Sequence, residues 1–194
     1  MLIPAHIWTP WFGLLGSKSG FNSLEAAFEE LRPHIYAVEK GLSSNFMMNA
    51  MVSELDSVAV LCNSDAHSAQ NLGREANLMN IELSYLSVIT ALRKNDPRAL
   101  LAGIEFFPER GKYFADGHRA CDVCLMPDET KKLQGICPRC GKPVTIGVLN
   151  RVQQLADRSI EEARRVQRSC YKVVPLFDIL EQELCLSPTS KKIL

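Results

Sequence analysis

What this sequence lacks narrows it first. No apolar run among its 194 residues approaches the length of about 20 that a membrane-spanning helix needs. The N-terminus has no charged region followed by an apolar stretch, so no secretory signal is expected and a soluble cytoplasmic protein is the default. Internal repeats and low-complexity tracts are absent as well. So is net charge, with 22 Lys and Arg against 22 Asp and Glu. A phosphate loop is also missing: it requires G-x-x-x-x-G-K-[ST], whereas "GLLGSKSG" puts Ser17 between Gly16 and Lys18 and misplaces the first glycine. Nucleotide hydrolysis by this segment is excluded.

What remains is an ordinary globular composition, 46% hydrophobic and 23% charged, long enough for one core or one domain with a small appendage. Charge is unevenly spread. Residues 1–109 hold 7 Lys and Arg against 12 Asp and Glu, and residues 110–172 hold 13 against 7. A basic middle block is compatible with a nucleic-acid contact, although such blocks are often only solvated faces.

Patterning places four strands and several helices. Residues 2–8 read as a short buried strand that begins almost at Met1. "FNSLEAAFEELRP" reads as a helix, with Asn22 three before Glu25, Pro33 beyond its end, and Leu24, Phe28 and Leu31 on one face. "HIYAVEKG" is a strand ended by glycine, and "NFMMNAMVSELDSV" a helix with Met47, Met51 and Leu55 on one side. "VAVLCNSDAH" is a strand running into a polar turn, a helix starts near Ser84 and stops at Pro97, and "ALLAGIEFFP" is a fourth strand. That alternation predicts βα units on a parallel sheet or barrel, with ligands where strands end. After Pro108 comes a small Gly- and Cys-containing module. Two helices, "VLNRVQQLADRSIEEARRVQRS" and "LFDILEQELC", are expected in the remainder, separated near Pro175. The domain reading is 1–108, 109–147 and 148–194.

Of seven cysteines, Cys62, Cys170 and Cys185 stand singly and read as inert thiols. The other four form "CDVC" and "CPRC", twelve residues apart. Two residues between paired thiols let both reach one metal, and two such knuckles complete a tetrahedral zinc site of Cys121, Cys124, Cys137 and Cys140. Four thiolates leave no open position, so this zinc is structural.

"NSDAHS" sets Asp65 and His67 two apart after a strand, and i and i+2 of an extended segment face the same side. Carboxylate plus imidazole suits Zn, Mn or Fe with positions left for water and phosphate. His6 and Glu39 end neighbouring predicted strands and are candidates for the same site. A carboxylate such as Glu39 can equally bind backbone or an arginine such as Arg74. His34 reads as a surface residue.

Together "IPAHIWTPWFGLLGSKSGF", "AVEKGLSS", "NSDAHSAQNLGREAN", "IEFFPERGKYFADGHRACDVC" and "CPRCGKPVTIGVLNRVQQLADR" resemble the endonuclease Q family of the PHP (polymerase and histidinol phosphatase) metallo-phosphoesterase superfamily. The resemblance implies the C-terminal half of a distorted TIM-like barrel, then a four-cysteine zinc module, then helices. It implies metal-dependent cleavage of DNA 5′ to deaminated bases (uracil, hypoxanthine, xanthine) or abasic sites. His6, Asp65 and His67 match metal ligands that would take Zn, Mn or Mg, and Glu39 lies in a matching motif. Lys18, Arg74 and Arg119 are candidate DNA contacts, and Trp8, Trp11, Phe106 and Phe107 are candidate walls for an extruded base. Family members open with a His-x-His strand and further ligands that this chain does not contain. The resemblance therefore implies either a fragment (a truncated reading frame, or a split gene whose second chain completes the barrel) or a chain that has lost activity; alone it is expected to be weakly active or inactive. Damaged DNA is the expected partner. The alternatives are a non-catalytic zinc-containing DNA-binding module and a PHP-type small-molecule phosphoesterase.

Overall fold

The structure, a computed structural model, describes residues 1–185; positions 186–194, the end of the expected helical region, lie outside them. The architecture is mixed α/β, built on three small sheets. Strand β1 (Ala37–Glu39) pairs in parallel with β2 (Ala59–Leu61), in register Val38 to Val60. Strands β3 (Ala76–Met79), β4 (Leu100–Glu105) and β7 (Cys170–Lys172) form a second sheet, β4 central, antiparallel to β3 and parallel to β7. The hairpin β5 (Asp116–His118) and β6 (Val123–Leu125) is the third. Among the described residues no sheet closes into a barrel, and the expected all-parallel arrangement is interrupted by β3.

Residues 2–8 do not form the predicted strand. Glu39 N–H donates to Pro4 O and Ile7 N–H to Glu39 O, as if a third strand were joining β1. A regular parallel partner would use residue 6 for the second bond. His6 instead adopts φ +32° and turns its own N–H to the Glu39 carboxylate, so one extra residue bulges out and the ladder stops.

Helices follow their caps. Helix α1 (Leu24–Phe28) starts at Ser23, whose hydroxyl accepts from Ala26 N–H, and it ends before Leu31, which is exposed rather than on the expected face. Helix α2 (Phe46–Ala50) is capped by Asn45, and α3 (Tyr85–Lys94) by Ser84, where the sequence places it. A short helix α4 (Pro127–Lys132) lies in the cysteine module. The first long C-terminal helix is two helices, α5 (Val148–Leu155) and α6 (Ile160–Val166), because Ser159 and Glu162 form a capping box that restarts the chain. Helix α7 (Leu176–Leu184) follows Pro175.

Sheet β1–β2 is covered on both faces. Val38 joins Ile7, Trp8, Leu15, Met48 and Leu55 in the main core, to which Phe114, Val148 and Val152 also belong. Ala37, Ala59 and Leu61 face a second core with Ala91, Leu92 and Leu100. Alternation along β1 sends neighbouring side chains to the two cores. Helix α5 therefore packs into the same core as the first strands, and β7 completes the sheet of β4.

The two sheets are joined through Lys40, which is fully buried. Its ammonium donates to Glu75 at 2.9 Å and to Ser44 O at 2.8 Å, and lies 3.5 Å from Glu105. Cys62 Sγ also donates to Glu75. One ammonium faces two buried carboxylates, so one negative charge is in excess. Burial pushes the Glu75 carboxyl up to about 7, against the pull of Lys40. A raised folded-state value means Glu75 contributes its stability fully below about pH 4.5 and loses it as pH rises through 7. Urea unfolding should show stability falling by on the order of 2 kcal/mol between pH 5 and pH 7.5, and Glu75→Gln should flatten that slope. An unchanged slope in the variant would remove Glu75 as its cause.

Candidate metal centre and opening loop

The cysteine module folds around a cluster that the spacing of cysteine pairs does not give. His118, Cys121, Cys137 and Cys140 each offer a ligand atom, and these atoms lie within 4.8 Å of one another. His118 Nδ1 is 3.3 Å from Cys140 Sγ. Cys124 is outside the group and exposed. Strand register explains the difference. His118 sits opposite Val123 across β5–β6, and Gly117 opposite Cys124. Val123 and Leu125 turn inward to a small core with Cys137 and Val144, so Cys124 between them points to the other face. His118 shares the inward face. The knuckle is therefore His118-x2-Cys121, offset by three residues from the predicted Cys121-x2-Cys124. The overlapping spacing in "GHRACDVC" was the signal that could have revealed it.

Three thiols and an imidazole are a donor set of tetrahedral zinc sites. The thiols are unequal. Burial raises the Cys137 thiol, but backbone N–H groups of Arg139 and Cys140, with the Cys140 and His118 side chains, bring it down to about 6. The neighbouring Cys140 thiol, aided by burial, pushes Cys121 up to about 11. A cation among them would favour the thiolate form of all three. Asp116 anchors the module to α5, its carboxylate accepting from Gly147 N–H and Asn150 Nδ2.

The expected second site is present as two separate pairs. Glu39 is buried at the end of β1, accepts from the backbone N–H groups of His6 and Gly41, and is pushed above its ordinary carboxylate range by burial. His6 Nδ1 lies 3.1 Å from Thr9 Oγ1. Beyond β2, Asp65 has φ +45°, so the segment is not extended there and the side-to-side argument for Asp65 and His67 fails. His67 Nδ1 sits 3.0 Å from Asp65 O and 4.0 Å from its carboxylate, with the His67 side chain 84% exposed. Among the described residues only the His118 cluster gathers three or more donor atoms within 4.8 Å. His6, Glu39, Asp65 and His67 alone do not make a compact metal pocket. His6 and Asp65 are nonetheless two of the few non-glycine residues at positive φ, a backbone strain that clusters at functional sites.

Other candidates take definite places. Arg74 donates to Ser64 O and Asp65 O, so it braces the Asp65 turn rather than meeting Glu39. Lys18 and Arg119 are exposed. Trp8 is buried, donating to Asn49 Oδ1 at 2.8 Å, and Phe106 is also buried, so neither is an open wall. Trp11 is 47% exposed and Phe107 is partly exposed beneath Lys172. Gly13 and Gly16 of "GLLGSKSG" serve packing: a Cβ there would sit 2.4 or 1.9 Å from Thr9 O, whereas Gly20 has open space and φ +87°. Arg151 on α5 holds this loop through Leu15 O, Phe21 O and Asn22 Oδ1.

No family model matches the chain. It is 36% identical over 160 residues to the uncharacterized protein YqxK of Bacillus subtilis, covering 81% of this chain and 39% of that one. To the uncharacterized protein MJ0043 of Methanocaldococcus jannaschii it is 33% identical over 182 residues, 90% of this chain and 22% of that protein. Two solved structures are similar over 98% of this chain and 47% of theirs. One is the lesion-specific endonuclease PfuEndoQ from Pyrococcus furiosus, with TM-score 0.80 and 28% identity. The other is endonuclease Q in complex with a 27-mer duplex carrying an abasic lesion at the active site, with TM-score 0.81 and 26% identity. The chain spans less than half the length of each of these proteins.

The metal cluster makes a sharp prediction about ligand choice. Purified with zinc, the protein should hold one ion per chain, retained in Cys124→Ser and lost in Cys137→Ser or His118→Asn. Cobalt substitution should give the absorption of three thiolates and one nitrogen. Loss of the ion from Cys124→Ser would restore the four-cysteine assignment.

Proposed function

Starting from a chain that shares its fold with endonuclease Q over 98% of its length, we propose that it is the DNA-engaging part of a lesion-directed DNA repair endonuclease. The observation that carries this reading is the similarity to the endonuclease Q structure with an abasic duplex at its active site. The substrate class is DNA bearing a deaminated base (uracil, hypoxanthine or xanthine) or an abasic site, cut on the 5′ side of the lesion. Zinc in the His118, Cys121, Cys137 and Cys140 cluster is structural: four protein ligands leave it no open position.

Hydrolysis is a different matter. His6, Asp65 and His67, with Glu39, are the residues that would contribute to a Zn, Mn or Mg site, but their donor atoms are not gathered into one pocket. A working metal site here would need further ligands brought to these four residues. Alone, the chain binds damaged DNA without cutting it, and in that state it acts as a zinc-containing DNA-binding module. The basic block at 110–172 supports DNA contact, with Lys18 and Arg119 exposed to meet phosphates and Arg74 reserved for the Asp65 turn.

The zinc-loaded chain, given Mn or Mg, should leave uracil, hypoxanthine and abasic duplexes uncut on a denaturing gel. Robust metal-dependent nicking would contradict this, and turnover of a simple phosphomonoester would favour a small-molecule phosphoesterase instead. Binding should weaken steeply with salt. Lys18→Ala and Arg119→Ala should each reduce the slope of log affinity against log salt by about 1.

A further inference from the structure

A cleft of about 380 Å³ lies between the opening loop and the metal module. That is within the range of about 300–1,000 Å³ typical of small-ligand sites. Pro10 and Trp11 form one side. The β5–β6 hairpin, through Gly117, His118 and Arg119, forms the other, with Tyr113 and Lys112 between them. The aromatic pair is arranged edge to face, ring centroids 6.2 Å apart and planes at 66°, and the Lys112 ammonium lies 5.2 Å from the Tyr113 centroid.

Both walls are held in place. Arg151 fixes the opening loop to α5, and Asp116 fixes the hairpin to the same helix through Gly147 and Asn150. His118, one of the four metal donors, lines the cleft itself. The half-exposed Trp11 ring is thus presented on a braced frame, in a cleft that two cations, Lys112 and Arg119, also line. That is the combination by which proteins hold unpaired nucleotides: a ring face for the base and positive charge for its phosphates.

We propose that this cleft receives one unpaired nucleotide of a DNA strand, its base stacked on Trp11 and its flanking phosphates met by Arg119 and Lys112. The proposal rests on the DNA-directed reading above and deepens it. Because the hairpin that carries His118 is one wall, the metal cluster shapes the cleft as well as stabilising its lobe.

Fluorescence tests this directly, since the chain has two tryptophans and Trp8 is buried against Asn49. A five-nucleotide single strand with a central deoxyuridine is titrated into the zinc-loaded protein. Saturable quenching of tryptophan emission is expected, and it should vanish in Trp11→Phe, which leaves Trp8 as an unresponsive background. By anisotropy of the labelled strand, Trp11→Leu should bind roughly tenfold more weakly. Arg119→Ala should weaken binding while the quenching at saturation persists. Binding without any change in Trp11 emission, or unchanged affinity in a folded Trp11→Leu, would overturn the proposal. The short strand contains no duplex, so its capture at Trp11 stands or falls separately from lesion recognition in duplex DNA.

Discussion

One buried ammonium organises the first two-thirds of this chain. Lys40 leaves the end of β1 and meets Glu75 at the entrance to β3 and Glu105 at the exit of β4, tying one sheet to the other. Removing Lys40 would leave both buried carboxylates without a counter-charge, a loss typically of about 3–5 kcal/mol for a broken buried ion pair. Its neighbours inherit the fixed geometry. Glu39 precedes it and accepts from His6, while Gly41 follows it so closely packed that a Cβ there would lie 3.1 Å from His6 Cα. His6 and Glu39 are therefore mounted beside this buried ion group, whereas Asp65 and His67 lie on an exposed turn beyond β2.

Helix α5 has the corresponding role for the metal lobe. Val148 and Val152 sink into the main core, and from the same helix Arg151 reaches the opening loop and Asn150 reaches Asp116. The loop, the lobe and the first sheet are thus referred to one helix. This arrangement gives the cleft at Trp11 two walls that come from distant parts of the sequence but share a support.

The sequence made some of this legible and hid the rest for physical reasons. Strands β1, β2 and β4 announce themselves as apolar runs, and Ser84 marks the start of α3. Strands β3 and β7 have four and three residues and take their pairing from β4, so no local pattern reveals them. The break between α5 and α6 was written in the Ser159–Glu162 capping box, but a continuous helical spacing masked it. Paired cysteines mark the module that carries the candidate metal cluster, yet which donors face inward depends on the register of β5 against β6. Pairing of His118 with Val123 decides it. At Asp65 a single positive φ cancels the alternation that an extended strand would have had, and no local pattern shows it.

From the fold shared with endonuclease Q we propose that this chain engages damaged DNA. The most direct test compares equilibrium binding of the zinc-loaded chain to two duplexes of identical sequence, one carrying a single abasic site. Tighter binding to the abasic duplex, at fixed and moderate salt, is the predicted result. Equal affinity for both would leave only charge-driven DNA contact and would contradict the claim.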